Sequence, residues 1–102
     1  MRIKRRDDVC PTASGYAGVT KQVVLGPAEG SDEIILRYFS VDEGSATPYH
    51  THDFPHLVKV EAGEGAAVGP DGSESPVSPG DYVFVPPNET HNFRNTGTRP
   101  FE

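Results

Sequence analysis

Glycine and proline punctuate this chain so often that no interior stretch free of both is longer than Ser31–Glu43. In a helix interior Gly is less favourable than Ala by about 1 kcal/mol and Pro by about 3 kcal/mol. The 11 Gly and 10 Pro among 102 residues therefore disfavour a helical bundle. The one long run is centred on Ile34-Ile35-Leu36-Arg37-Tyr38-Phe39-Ser40-Val41, whose β-branched and aromatic residues favour a strand. Eleven valines against three leucines state the same preference along the whole chain. No stretch approaches the ~18 apolar residues of a membrane helix, so no membrane partner is expected. The length fits one domain of the usual ~100–150 residues, here residues 1–102.

Period and turn residues predict strands at Val19–Leu25, Ile34–Val41, Leu57–Glu61, Ala66–Val68, Tyr82–Val85 and Thr90–Arg94, with a short polar piece at Tyr49–His52. Ala66–Val68 is expected to pair with Leu57–Glu61 around the Glu61–Gly65 corner, and Gly69-Pro70-Asp71-Gly72 to form a hairpin turn. Strand parity sets Ile35, Arg37, Phe39 and Val41 on one face and Ile34, Leu36 and Tyr38 on the other. Short strands with frequent turns predict an all-β sandwich or barrel.

A net charge of −6 argues against a nucleic-acid partner, which needs a basic face. Arg2, Lys4, Arg5 and Arg6 are a local exception, within a basic N-terminal segment over residues 1–15. That segment reads as solvated chain or an edge strand. No apolar h-region follows those charges, so it is not a secretory signal. The lone Cys10 has no internal partner and fits a reducing compartment, so a cytoplasmic location is expected.

The four histidines are His50, His52, His56 and His91, three of them close together. On a strand, residues i and i+2 share a face at roughly 6.5–7 Å, so His50 and His52 present two imidazoles side by side. Pro55 turns the chain before His56, which can return a third ring to the same point, and His91 comes from a remote strand. Such a set suits a transition metal rather than calcium or magnesium. The alternative is a polar loop of solvent-facing histidines. Asp53 and Glu89 adjoin these histidines as candidate acceptors for imidazole N–H groups, or as turn residues.

At these residues the sequence resembles the cupin superfamily. Its first motif is matched by Gly44, five residues, His50-Thr51-His52, three residues, His56, six residues and Gly63. Its second is matched by Gly80, five residues, Pro86-Pro87-Asn88, two residues, His91, three residues and Asn95. Asn88 stands where the motif has Gly, and Asn tolerates the positive φ required there. His56 stands where most cupins carry a Glu, as in the small tetra-histidine cupins. The resemblance implies a single-domain jelly-roll β-barrel, usually a homodimer, holding one divalent transition-metal ion on His50, His52, His56 and His91. Manganese or iron is favoured, with zinc, nickel and copper also compatible. Cupins of this kind usually continue past Arg99–Glu102 with one more apolar strand, so the last barrel strand is expected to be cut short or supplied by a partner.

Four neutral imidazoles would leave the ion at +2, favouring an anionic or oxygen-bearing small molecule. The leading expectation is dioxygenase-like oxidative cleavage. Metal-dependent isomerisation or lyase chemistry, a non-catalytic binding module and a closed structural zinc site are the alternatives. Phe93, of the same parity as His91, is a candidate pocket wall. Arg37 is either an anion contact or a solvent-facing side chain.

Overall fold

The computed structural model describes residues 1–102. Eight short strands follow one another as β1 (Thr12–Ala13), β2 (Val19–Leu25), β3 (Leu36–Val41), β4 (His56–Lys59), β5 (Gly65–Val68), β6 (Glu74–Val77), β7 (Tyr82–Val85) and β8 (Asn92–Asn95). The only helical pieces are single 3-10 turns at Arg6–Asp8, Pro27–Glu29 and Pro70–Gly72, and no helix is long and apolar enough to cross a membrane. All strand pairs are antiparallel.

The strands form three small sheets, ordered β1-β2-β3, β4-β7 and β6-β5-β8. None closes into a barrel, which corrects the jelly-roll barrel expected from the sequence. The connecting segment explains the difference. Residues 44–55 would have to run as a continuous strand to join the sheets, but Pro48 and Pro55 lack the N–H a ladder needs. The segment makes only isolated bridges, Ala46 to Arg94 and His50 to His91.

A second correction concerns pairing. Ala66–Val68 does not pair with Leu57–Glu61: β5 lies between β6 and β8, while β4 pairs with β7. The C-terminal residues occupy the corner that separates them. Glu61 and Ala62 N–H both donate to the Glu102 carbonyl, and Glu102 N–H donates back to Ala62. Gly63, at φ +80°, lies where a Cβ would meet the Pro100 backbone, and a Cβ on Gly65 would strike the Phe101 ring.

Val19, Val41, Val60, Val77 and Phe101 form the buried core, with Phe39, Ala67, Val83 and Phe93 packed against it. Val41 and Phe101 exchange backbone hydrogen bonds of 2.9 Å in each direction. The buried Asn95 amide donates to the Val41 and Arg99 carbonyls, tying β8 to β3 and to the C-terminus. The basic N-terminal segment lies along β2 and β3. The Gln22 amide donates to the Arg6 and Val9 carbonyls, the Arg6 guanidinium sits 4.5 Å from the Tyr38 ring centroid, and Lys4 pairs with Glu29 at 3.1 Å.

Candidate metal centre

His50 and His91 are brought opposite each other by a two-hydrogen-bond bridge, His50 N–H to His91 O at 3.1 Å and His91 N–H to His50 O at 2.9 Å. Their ring centroids lie 5.4 Å apart. His52, two residues on, brings its ring to 4.3 Å from His50 and 5.4 Å from His91. One ligand nitrogen from each of His50, His52 and His91 lies within 4.8 Å of the others, a three-histidine cluster capable of holding a metal ion.

The loop before β8 fixes the register of this cluster. Asn88 adopts φ 65°, the conformation the sequence called for where a Gly is usual. From there its N–H donates to the His52 carbonyl, fastening the His91 loop to the His50–His52 segment.

His56 opens β4 opposite Val85. Its ring centroid is 4.7 Å from that of His52 and 5.4 Å from that of His91. It is not one of the three whose nitrogens fall within 4.8 Å. Its Nε2 is nonetheless buried with no hydrogen-bond partner. Native folds seldom leave such an atom unsatisfied, and a metal ion beside the other three rings is one partner that suits it.

Proton positions also fit a ligand set. A carbonyl oxygen can only accept, so the 2.8 Å contact of His91 Nδ1 with the Glu89 carbonyl places the proton on Nδ1 and leaves Nε2 to coordinate. The backbone of Glu89, rather than its carboxylate, supplies this acceptor. His50 and His52 face each other Nε2 to Nε2 at 2.9 Å, which accommodates at most one proton between them. Burial, with the charges of the neighbouring rings and Arg37, lowers the pKa of His50 and His52, although Asp53 opposes this at His52. His56 is pushed down to about 4, chiefly by burial and then by His52, His91 and Arg37. Neutral imidazole is the form that binds metal.

Arg37 shares its strand face with Phe39 and the core residue Val41 but is itself exposed, the solvent-facing alternative. Phe93 and His91 both line an open cleft of about 210 Å³ between β7 and the β6-β5-β8 sheet. Val83, Val85 and Ala67 supply its apolar walls, with Ser75 and Glu89 as polar groups. The sequence reading passed over Phe54. Its ring stacks on His52 at 4.7 Å and 10° and meets His56 edge-on at 5.3 Å, so it holds both imidazoles in orientation. The signal available was an aromatic residue inside the histidine segment, directly before the Pro55 that turns the chain.

The family model described as Cupin domain matches residues 37–102. Among solved structures, the chain is similar to the polyketide cyclase RemF from Streptomyces resistomycificus, with TM-score 0.88 and 28% identity, over 99% of this chain and 74% of that one. It is similar to a cupin 2 domain-containing protein from Halorhodospira halophila, with TM-score 0.75 and 30% identity, over 83% of this chain and 60% of that one. A cupin-2 domain protein from Rhodospirillum rubrum is similar at TM-score 0.79 and 26% identity, over 98% and 69% of the two chains. No curated protein sequence matches the chain.

Proposed function

The chain belongs to the cupin domain family, and on that premise we propose that it is a mononuclear metal-binding cupin acting on a small oxygen-bearing molecule without net oxidation. The observation that carries this reading is the convergence of His50, His52 and His91 with the partnerless, buried Nε2 of His56. His50, His52, His56 and His91 would hold the ion, manganese or iron before zinc, nickel or copper. A divalent ion there supplies Lewis-acid polarisation of an oxygen substituent. The protein's part is to keep the imidazoles of His50, His52 and His56 neutral by burial, to fix the His91 tautomer through the Glu89 carbonyl, and to wall the cleft with Phe93, Val83 and Val85.

Isomerase or lyase chemistry is preferred over dioxygenase-like cleavage because the one activity named among the similar structures described above is that of a cyclase, not an oxygenase. Ring closure rearranges bonds within one molecule and needs no oxidant. A homodimer, as is usual for small cupins, belongs to the same proposal and is tested by sedimentation.

The test is a turnover screen of metal-loaded protein against carbonyl and enolisable acids, run in parallel with and without oxygen. Turnover that survives removal of oxygen supports the reading. A strict oxygen requirement replaces it with oxidative cleavage, and a purified chain that takes up no metal removes both.

A further inference from the structure

The two faces of the β4-β7 ladder meet different surroundings. Alternate residues point inward: His56 stands opposite Val85 beside the His52 ring, Val83 packs on the core, and Val85 walls the cleft. The residues between them point outward, with Leu57 opposite Phe84 and Lys59 opposite Tyr82. No element of the fold covers this side: Leu57 is 86% exposed, Tyr82 77% and Phe84 61%. Side chains directly opposite on neighbouring strands lie about 4.5–5.5 Å apart at Cβ, so the three form one continuous apolar patch. Lys59 is the charge beside them. Its ammonium pairs with Glu61, just past the end of β4, at 3.1 Å and lies 6.0 Å from the Tyr82 ring centroid. The patch is therefore without net charge, in a chain that carries −6.

We propose that this outer face of β4-β7 is the contact surface of the homodimer, each copy laying Leu57, Tyr82 and Phe84 against the same three residues of the other. This rests on the dimer proposed above, but not on the metal. Area and charge both select a second copy of this chain. Large apolar side chains carry ~150–250 Å² each, so the three at these exposures present roughly 400 Å². Two such patches bury roughly 800 Å², and the exposed Pro55, Lys59 and Glu61 flanking each one bring the contact to the ~1,200 Å² at which stable interfaces begin. A two-fold contact sets a surface against itself, and a neutral patch is where two acidic chains meet with least repulsion. Leu57 and Phe84 form the dry centre, with Lys59, Glu61 and the Tyr82 hydroxyl as the polar rim. The second copy also backs a ladder of only two strands, directly behind the residue pair that holds His56.

The test is sedimentation velocity of the full chain as purified, over about 1–100 μM. Wild type should associate to a dimer. Leu57→Glu and Phe84→Glu should each weaken that association by about a hundredfold or more while the circular dichroism spectrum is unchanged. Leu36→Glu, at an exposed apolar residue of β3, should leave it as it is. Hydrogen exchange on the wild type needs no variant: residues 56–59 and 82–85 should exchange more slowly in the dimer than in the diluted monomer. A dimer that persists in both Glu variants, or exchange in these strands that does not change on association, overturns the surface and leaves the dimer standing. Wild type that stays monomeric throughout overturns the dimer and this surface with it. If that monomer floats with phosphatidylcholine vesicles, the face belongs to a lipid surface instead.

Discussion

His50 and His91 form a closed backbone pair, with both hydrogen bonds made and ring centroids 5.4 Å apart. This bridge gives the segment before β4 its registered contact with the start of β8, and it places the two imidazoles at one centre. The site is therefore built by backbone pairing outside the core cluster around Val41 and Phe101, so removing one ligand side chain should leave that core in place.

Replacing His52 by Ala should abolish tight metal binding while the circular dichroism spectrum stays that of a β protein. The loss should exceed the ~10–100-fold typical of removing an outer hydrogen-bond partner of a ligand. Full metal occupancy in the dialysed variant would take His52 out of the ligand set.

His56→Glu should still hold one ion, because a carboxylate reaches the same point and lowers the net charge of the loaded site from +2 to +1. Metal analysis of the purified variant decides this, and failure to retain any ion would show that position 56 is not a ligand.

The metal-free protein should lose stability as pH falls. An unfolded imidazole takes up its proton near 6.5, whereas folded His56 takes one only near about 4, with burial the main cause. Between these values the unfolded state binds more protons, so stability is fully present above about 6.5 and declines as pH falls toward about 4. Going from about pH 7.5 to about pH 5, Tm should fall further in the wild type than in His56→Gln. Equal declines would contradict the assignment.

Gly65→Ala should destabilise the fold by about 1–3 kcal/mol, since the added methyl overpacks against the buried Phe101 ring. Urea denaturation measures it. A neutral result would mean that Phe101 moves aside at no cost.

The site was more legible in the sequence than the fold around it. Alternation alone put His50 and His52 on one face, and the spacing of Gly80, Pro86 and Asn88 pointed His91 toward them. Strand pairing was not legible, because which strand lies beside Ala66–Val68 depends on where Pro100–Glu102 come to rest rather than on any local pattern. Barrel closure failed for a related reason: it depended on whether residues 44–55 could sustain a ladder, which the prolines there prevent. Arg37 was readable by parity with Phe39 and Val41. What parity could not give was burial along that face: Phe39 packs against the core, whereas Arg37, nearer the start of β3, is exposed.

The most direct test of the central claim is X-ray absorption at the metal edge of the protein loaded with one equivalent of ion, compared between wild type and His56→Ala. The account predicts four imidazole ligands in the wild type and three in the variant. Three in both would exclude His56 from the centre, and a spectrum without imidazole scattering would contradict the metal site altogether.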